Sequence, residues 1–238
     1  MKHRFRPTSC TVWLLLVVLL AARAGPLGPL DHGRQTAPDL LAQPIASLSL
    51  KGEFLLEGIA KLDSLTTGVG FSVELVPGSD TAGPPPSPRF SAEVTDVTLR
   101  EALDWLCSLD KRYTWEQDRT TVNVFPRESG DDPRYFFNYP VTEIRFDDVA
   151  NAYDAVRVAM RSLRGPAPRL VSWTGHDSAN FAKPWTTGIA GVSVRQLFNR
   201  IAQQLGPEYG WIVSGNAKVR LFNFHAQLEP TTPRKSGT

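Results

Sequence analysis

The 238-residue chain has few of the side chains from which reactive centres are built: two cysteines, four histidines and two methionines. Cys10 lies before the apolar stretch, within the N-terminal residues 1–24 that are expected to be cleaved, so a mature chain would keep Cys107 alone, which excludes an internal disulfide. The histidines beyond the first ten residues, His32, His176 and His225, are 144 and 49 residues apart. This spacing matches no metal-ligand pattern, and we expect neither a metal nor a cofactor.

Long apolar runs are lacking after the N-terminal region. There, three basic residues precede an apolar stretch, Val12 to Ala22, that ends in small residues. This order predicts a secretory signal peptide over residues 1–24, cleaved after Ala24. Because no later segment has the roughly 20 apolar residues of a membrane helix, we expect a periplasmic or secreted protein without an integral membrane span. A retained N-terminal anchor is the alternative.

A strong net charge is also lacking. Loss of residues 1–24 would remove four of the 26 Lys and Arg side chains and none of the 24 Asp and Glu side chains, which leaves 22 basic against 24 acidic groups. The small basic excess of the full chain is therefore a property of the export signal. Without that excess, nucleic acid is not expected as a partner.

The motifs of common enzyme classes are missing too: the chain has no Gly-x-Ser-x-Gly elbow, Walker loop or dinucleotide fingerprint. His176, Asp177 and Ser178 stand together in one loop. The members of a catalytic triad converge through space, however, and three adjacent loop residues generally point in different directions. We therefore expect no enzyme; a hydrolase built around His176 and Asp177 is the weaker alternative.

What the chain does have is a block that occurs twice, 95 residues apart: Val97-Thr-Leu-Arg-Glu-Ala-Leu-Asp-Trp-Leu106 and Val192-Ser-Val-Arg-Gln-Leu-Phe-Asn-Arg-Ile201. Each copy begins with a capping box, Thr98 with Glu101 and Ser193 with Gln196, and continues with apolar residues at helical spacing. Each block therefore predicts an amphipathic helix with a well-defined start.

The similarity resumes after each helix, in segments that predict a closing pair of strands. These segments are Tyr113–Trp115 with Tyr209–Trp211, and Val122–Phe125 with Val219–Phe222. Both halves predict the element order β-α-β-β-α-β-β. The predicted fold class is therefore α+β, as two tandem small domains, each with two helices packed on a small sheet.

The elements before the capped helix follow the same order in both halves. In the first half, the predicted strands are 45–50, 71–75 and 90–94, with a helix over 54–66. In the second half, they are 141–146, 170–173 and 185–190, with a helix over 148–163 that starts at Asp147 or Asp148.

Composition sets the predicted boundaries. Residues 25–44 are rich in Pro, Gly and small residues and predict a flexible leader, while the polar and turn-rich residues 127–138 predict a linker. The two domains are then 45–126 and 139–225, and residues 226–238 are predicted to be a disordered tail. Because about 80 residues build only a marginal core, we expect the two copies to pack on each other.

The first copy carries three characteristic segments, Ser47–Gly52, Gly68–Val73 and Val97–Leu103, followed by the hairpin of Tyr113–Trp115 and Val122–Val124. In this order they resemble the short N-terminal domain of secretins and TonB-dependent receptors. The second copy resembles it more loosely. The resemblance implies a bacterial envelope protein that binds other proteins and has no enzymatic residues. Only about 14 residues follow the second copy, so we expect a stand-alone adaptor or binding protein.

Aromatic residues give a candidate partner-binding site. Trp173, Phe181 and Trp185 bracket an insert between two predicted strands, and His176 lies in the loop. Exposed Trp side chains suit contacts with protein or sugar rings; packing in the core is the alternative for these aromatics. An exposed sheet edge, which accepts a strand from a partner through backbone hydrogen bonds, is a second candidate.

Other matched residues are interpreted as structural. Trp115 and Trp211 occupy equivalent positions and are expected in the core, and Arg100 and Arg195 on a solvated helix face. Cys107 is expected to be a buried thiol, because a reactive cysteine needs an electropositive, partly exposed setting.

The sequence thus predicts an exported bacterial envelope protein that acts as a non-catalytic protein–protein interaction module, accessory to a secretion or receptor system. The alternative is a carbohydrate- or peptidoglycan-binding protein that uses exposed aromatics of residues 173–185.

Overall fold

The computed structural model describes residues 39–78, 87–163, 168–172, 179–216 and 218–228. The helices of these segments are α1 (Leu55–Leu65), α2 (Leu99–Leu109), α3 (Ala152–Ser162) and α4 (Val194–Gln203). The strands are β1 (Pro44–Glu53), β2 (Gly70–Glu74), β3 (Phe90–Thr98), β4 (Tyr113–Asp118), β5 (Thr121–Pro126), β6 (Pro140–Asn151), β7 (Arg169–Ser172), β8 (Asn180–Ser193), β9 (Gly210–Gly215) and β10 (Val219–His225). The predicted α+β class is confirmed. The predicted signal peptide lies outside the described residues.

Both predicted capping boxes are present. The Thr98 hydroxyl accepts from the Glu101 backbone N–H at 3.3 Å, and the Glu101 carboxylate accepts from the Thr98 N–H at 2.7 Å. Ser193 and Gln196 make the same pair of bonds at 3.2 and 3.0 Å. These bonds satisfy backbone donors that a helix start leaves unpaired, so α2 and α4 begin directly after the predicted caps.

Strands from both halves of the chain meet in one sheet. Its order is β4-β5-β2-β9-β10-β7, and β2 pairs with β9 in parallel. Two antiparallel ribbons, β1–β3 and β6–β8, complete the fold. The described residues group as one compact unit; the division into two domains stays a prediction.

Two hydrophobic cores lie on opposite faces of the six-stranded sheet. Val73 pairs with Ile212, and both belong to the core of the first half, which includes α1 and α2. The next pair is Glu74 with Val213, and Val213 belongs to the core of the second half, which includes α3 and α4. Successive strand residues point to opposite faces, so each pair of helices covers its own face.

The start of α3 differs from the prediction. Asp147 and Asp148 lie in β6, which continues to Asn151 with two irregular steps in its pairing to β8. Asp148 takes a positive φ of 54° within that irregular segment. The cap is instead Asn151, whose Oδ1 accepts from the Asp154 N–H at 2.8 Å.

The fold also extends into the segments predicted to be leader, linker and tail. Leu41, in the leader, is only 2% exposed within a short 3-10 turn, and Phe137, in the linker, is fully buried in the second core. Leu228, in the tail, is 6% exposed and packs in the first core. Apolar side chains in otherwise polar or small-residue segments therefore pack into one core or the other.

The closing hairpins match in register only up to their turns. Trp115 lies opposite Val124 in the first half, and Trp211 lies opposite Phe224 in the second. Phe224, not the predicted Leu221, is therefore the counterpart of Val124, because the second hairpin has the longer turn.

None of the helices in the described part of the chain is long and apolar enough to cross a membrane.

Candidate functional site

The predicted aromatic site is only partly described. Phe181 is 9% exposed, and its ring lies edge to face with Trp185 at 5.7 Å. Trp185 stacks on Phe146 at 4.6 Å and packs against the second core. Phe181 therefore belongs to the second core, and the half-buried Trp185 packs against that core; a role of these two aromatics in partner binding stays a prediction. Trp173 and His176 lie outside the described residues, and their role stays a prediction.

Arg195 does not lie on a solvated face, which makes that prediction wrong for this copy. It is 4% exposed, and its Nε donates to Glu74 Oε1 at 2.5 Å while Nη2 donates to Oε2 at 3.3 Å. Glu74, at the end of β2, is 1% exposed. Asn138 accepts from Arg195 Nη1 at 2.9 Å. Arg100, the counterpart of Arg195 in the first half, is exposed as predicted.

Charge and burial act against each other at this ion pair. Burial works to lower the pKa of the Arg195 guanidinium, but the charge and hydrogen bonds of Glu74 outweigh it and raise the pKa above its ordinary value. Burial raises the pKa of the Tyr135 hydroxyl, and the charge of Glu74 raises it further. The Arg195 guanidinium is thus charged and the Tyr135 phenol neutral at physiological pH.

Strand β2 occupies a groove between α4 and β9, which we name the seam groove. On one side, the Leu75 N–H donates to the Val213 carbonyl at 2.9 Å, next to the paired residues of β2 and β9. On the other side, α4 runs antiparallel to β2: Arg195 holds Glu74, and Asn199 Oδ1 accepts from the Ser72 hydroxyl at 3.3 Å.

Helix and strand match in length along the seam groove. Four residues of helix rise about 6 Å and two residues of strand about 6.6 Å, so side chains at i and i+4 of α4 face alternate residues of β2. Gln203 continues the series, because it donates to Thr121, which pairs with Gly70. The second half therefore binds a strand of the first half as an extended segment, and side chains on one face of α4 contact alternate residues of that strand.

Two glycines allow the close approach of β2 and β9. A Cβ atom at Gly210 would lie 1.7 Å from the Phe71 carbonyl oxygen, and one at Gly70 would lie 2.1 Å from the Tyr209 carbonyl oxygen. Both distances are far below van der Waals contact. Any side chain at either position would force the strands apart.

The first half repeats the framework of the seam groove with exposed residues. Trp115 Nε1 donates to Asp104 at 2.8 Å, as Trp211 Nε1 donates to Asn199 at 2.9 Å. Trp211 and Asn199 are fully buried, whereas Asp104 is exposed and Trp115 half-buried. The same hydrogen bond thus stands in a filled groove in one half and at the surface in the other.

The surface between α2 and β4 is a cleft of about 660 Å³, which we name the open groove. Its lining consists of Asp104, Cys107, Ser108, Lys111, Thr114, Trp115 and Arg127. Within the described residues, β4 pairs with β5 alone, so its other edge has no strand. Sequence reasoning missed this groove, although the matched pairs Arg100 with Arg195 and Asp104 with Asn199 were its signal.

The open groove is suited to binding and not to nucleophilic chemistry. Cys107 is 6% exposed, and burial raises the pKa of its thiol to about 12. A thiol with this pKa stays protonated at neutral pH and is a poor nucleophile. In the described part of the chain, no group of three or more His, Cys, Asp and Glu side chains could hold a metal ion.

No family model matches the chain, and no curated protein or solved structure matches it.

A second buried carboxylate ties the end of the described chain to α1. Asp63 is 7% exposed, and its Oδ2 accepts from the Leu228 N–H at 2.6 Å. Burial raises the pKa of Asp63 to about 6, although this hydrogen bond works to lower it. In the folded chain Asp63 therefore holds its proton to a higher pH than in the unfolded chain, where the pKa is about 4.

We expect the Asp63 contribution to stability to be full below about pH 4 and to be lost as the pH rises through about 6, since the folded chain binds more protons in that range. Asp63→Asn should remove this loss, so that its free energy of unfolding rises relative to wild type by about 2 kcal/mol between pH 4 and 7. Urea unfolding at a series of pH values measures the difference. Asp147→Asn, at an exposed position of β6, is the control and should follow wild type. A constant offset between Asp63→Asn and wild type across this range would contradict the prediction.

Proposed function

We propose that the chain is an exported protein of the bacterial envelope that acts as a non-catalytic adaptor and binds a protein partner by strand addition. One observation carries the proposal: the second half holds β2 as an added strand in the seam groove, while the matching open groove of the first half contains no described strand. Strand addition gives affinity through backbone hydrogen bonds and specificity through side-chain contacts.

The repeated element order supports the same proposal. Each half of the described chain follows β-α-β-β-α-β-β, the order on which the resemblance to the short domain of secretins and TonB-dependent receptors rests. That resemblance implies partner binding in the envelope. Fold likeness alone does not assign a function, so the groove carries the argument.

The test uses a photo-crosslinking amino acid at Ser108 in the tagged full chain, expressed in its native host. Ser108 lines the open groove at the end of α2. Ser162 is the matched control, because it is an exposed serine at the end of α3. We expect one dominant envelope protein to be crosslinked from position 108 and not from 162.

Two outcomes would contradict the adaptor function. Identical products from both positions would show that the groove has no specific partner. Recovery of peptidoglycan-linked material alone would favour the carbohydrate-binding alternative.

A further inference from the structure

We infer that the open groove binds an extended segment of a partner protein with the pattern Ser-x-acidic, in the way that the seam groove holds Ser72 and Glu74. This inference rests on the proposed function and adds the chemistry of the bound segment. The argument compares the two grooves residue by residue.

The helix side of the open groove presents side chains at the same three helix positions as the seam groove. Arg100, Asp104 and Ser108 on α2 stand where Arg195, Asn199 and Gln203 stand on α4, and all three are exposed. Arg195 binds a carboxylate and Asn199 Oδ1 accepts from a serine hydroxyl. Asp104 accepts equally well from a hydroxyl, and Arg100 provides the guanidinium for a carboxylate two residues further along an extended segment.

The strand side offers an unpaired edge in the same place. Ile212 and Val213 of β9 pair with β2, and their counterparts in β4 are Glu116 and Gln117. Both are exposed, and within the described residues they pair only with β5. A segment bound here would run parallel to β4 and antiparallel to α2.

Charge favours an acidic segment over a basic one. The lining of the open groove includes Lys111 and Arg127 against the single carboxylate of Asp104. Arg100 lies just outside this lining, one helical turn before Asp104 on α2, which is the end where the acidic residue would lie. Arg100 has its guanidinium 5.8 Å from the ring centre of Trp115. This contact holds the cation beside the groove, and in the described part of the chain Arg100 has no buried carboxylate partner such as Glu74.

One difference between the grooves limits how closely a segment can approach. Thr114 stands where Gly210 stands in β9, and a Cβ at Gly210 would lie 1.7 Å from the backbone of β2. A segment in the open groove must therefore stand off from β4 at Thr114. Removal of that side chain should bring the segment closer and tighten binding.

The chain supplies its own probe for this inference. A fluorescein-labelled peptide with the sequence of residues 68–77, Gly-Val-Gly-Phe-Ser-Val-Glu-Leu-Val-Pro, contains the Ser-x-Glu pattern that the seam groove holds. Fluorescence anisotropy with the full chain, titrated to about 1 mM, detects even weak peptide binding. We expect saturable binding, and about tenfold weaker binding for Arg100→Glu.

Charge exchange and the Thr114 series make the assignment specific. A peptide with Lys in place of its Glu should bind Arg100→Glu better than it binds wild type. Thr114→Gly should bind the original peptide at least about threefold more tightly, whereas Thr114→Ala keeps a Cβ and should give no gain. Arg161→Glu, an exposed position on α3 outside the groove, is the charge control and should bind like wild type.

Three results would overturn the inference. The first is no binding to either wild type or Thr114→Gly. The second is binding that Arg100→Glu leaves unchanged, with the peptide crosslinked to α4, which would mean that it replaces β2 in the seam groove. The third is self-association in sedimentation equilibrium that the peptide reverses, which would mean that a second copy of the chain fills the groove.

Failure of this inference is separable from failure of the proposed function. If the peptide does not bind while Ser108 in the host still captures one envelope protein, the adaptor function stands and the Ser-x-acidic pattern does not. If the peptide binds in vitro but position 108 captures no protein, the groove binds such segments and the adaptor function loses its support.

Discussion

Gly210→Ala is expected to prevent stable folding of the chain. The added Cβ would lie 1.7 Å from the Phe71 carbonyl oxygen and 2.9 Å from the Phe71 nitrogen. Because both atoms are backbone, no side-chain rotation relieves the clash, and β2 must move away from β9. We expect a loss of about 4 kcal/mol or more, above the 1–3 kcal/mol typical of an overpacked core.

Displacement of β2 would destabilise the fold by more than the steric clash at Gly210 alone. Displacement of β2 also separates Val73 from Ile212 and Glu74 from Arg195, so the two cores and the buried ion pair lose their common support. Urea unfolding followed by tryptophan fluorescence measures the effect, since the fully buried Trp211 reports on this region.

Gly188→Ala is the matched control for Gly210→Ala. Gly188 also lies in a strand, β8, but a Cβ there would meet no atom within 4 Å. Its free energy of unfolding should stay within about 0.5 kcal/mol of wild type. If the free energy of unfolding of Gly210→Ala lay within about 1 kcal/mol of wild type, which is the effect of a usual point mutation, the two strands would not meet as described.

Local signals in the sequence were sufficient for most elements of the fold. A capping box fixes a helix start through bonds between residues three apart, so the starts of α2 and α4 were predictable to the residue. The alternating and helical apolar patterns likewise predicted all four helices and the order of strands in each half. These patterns are local because the periodicity of a helix or strand decides which residues face a core.

The elements that differ depend on contacts distant in sequence. Asp148 is a residue type that often caps helices. However, β8 begins at Asn180 and pairs with β6 as far as Asn151, so α3 begins only after Asn151. The turn length of the last hairpin shifts the register of β10, and turn length does not follow from apolar alternation. Leu228 packs in the first core, and the distant Asp63 accepts a hydrogen bond from its backbone N–H.

The candidate site shows the same limit more sharply. Arg100 and Arg195 occur in matching helices at the same position, so a single-sequence argument assigns them one environment. In the structure one is exposed and the other is buried against Glu74, which lies 121 residues away in the chain. The difference arises because, among the described residues, a strand fills only one of two similar grooves, and no local pattern states which strand fills it.

Loss of the Glu74 carboxylate is expected to destabilise the chain strongly. In Glu74→Gln the Arg195 guanidinium keeps its charge at 4% exposure, with the Asn138 amide at 2.9 Å and the Glu116 carboxylate at 3.7 Å as its remaining polar contacts. A buried charge left without its partner typically costs 3–5 kcal/mol, so we expect a loss of about 3 kcal/mol. Urea unfolding of the full chain measures it.

The double variant Glu74→Leu/Arg195→Met separates the cost of an unpaired charge from the value of the pair. Removal of both charges also removes both desolvation costs, and buried pairs replaced by apolar groups are often neutral in stability. We therefore expect the double variant to be more stable than Glu74→Gln by about 2 kcal/mol. Arg145→Ala is the control, because the exposed pair of Arg145 with Glu143 should contribute less than about 1 kcal/mol. If the double variant is as unstable as Glu74→Gln, then the ion pair itself, and not the avoidance of an unpaired charge, holds β2 in the seam groove.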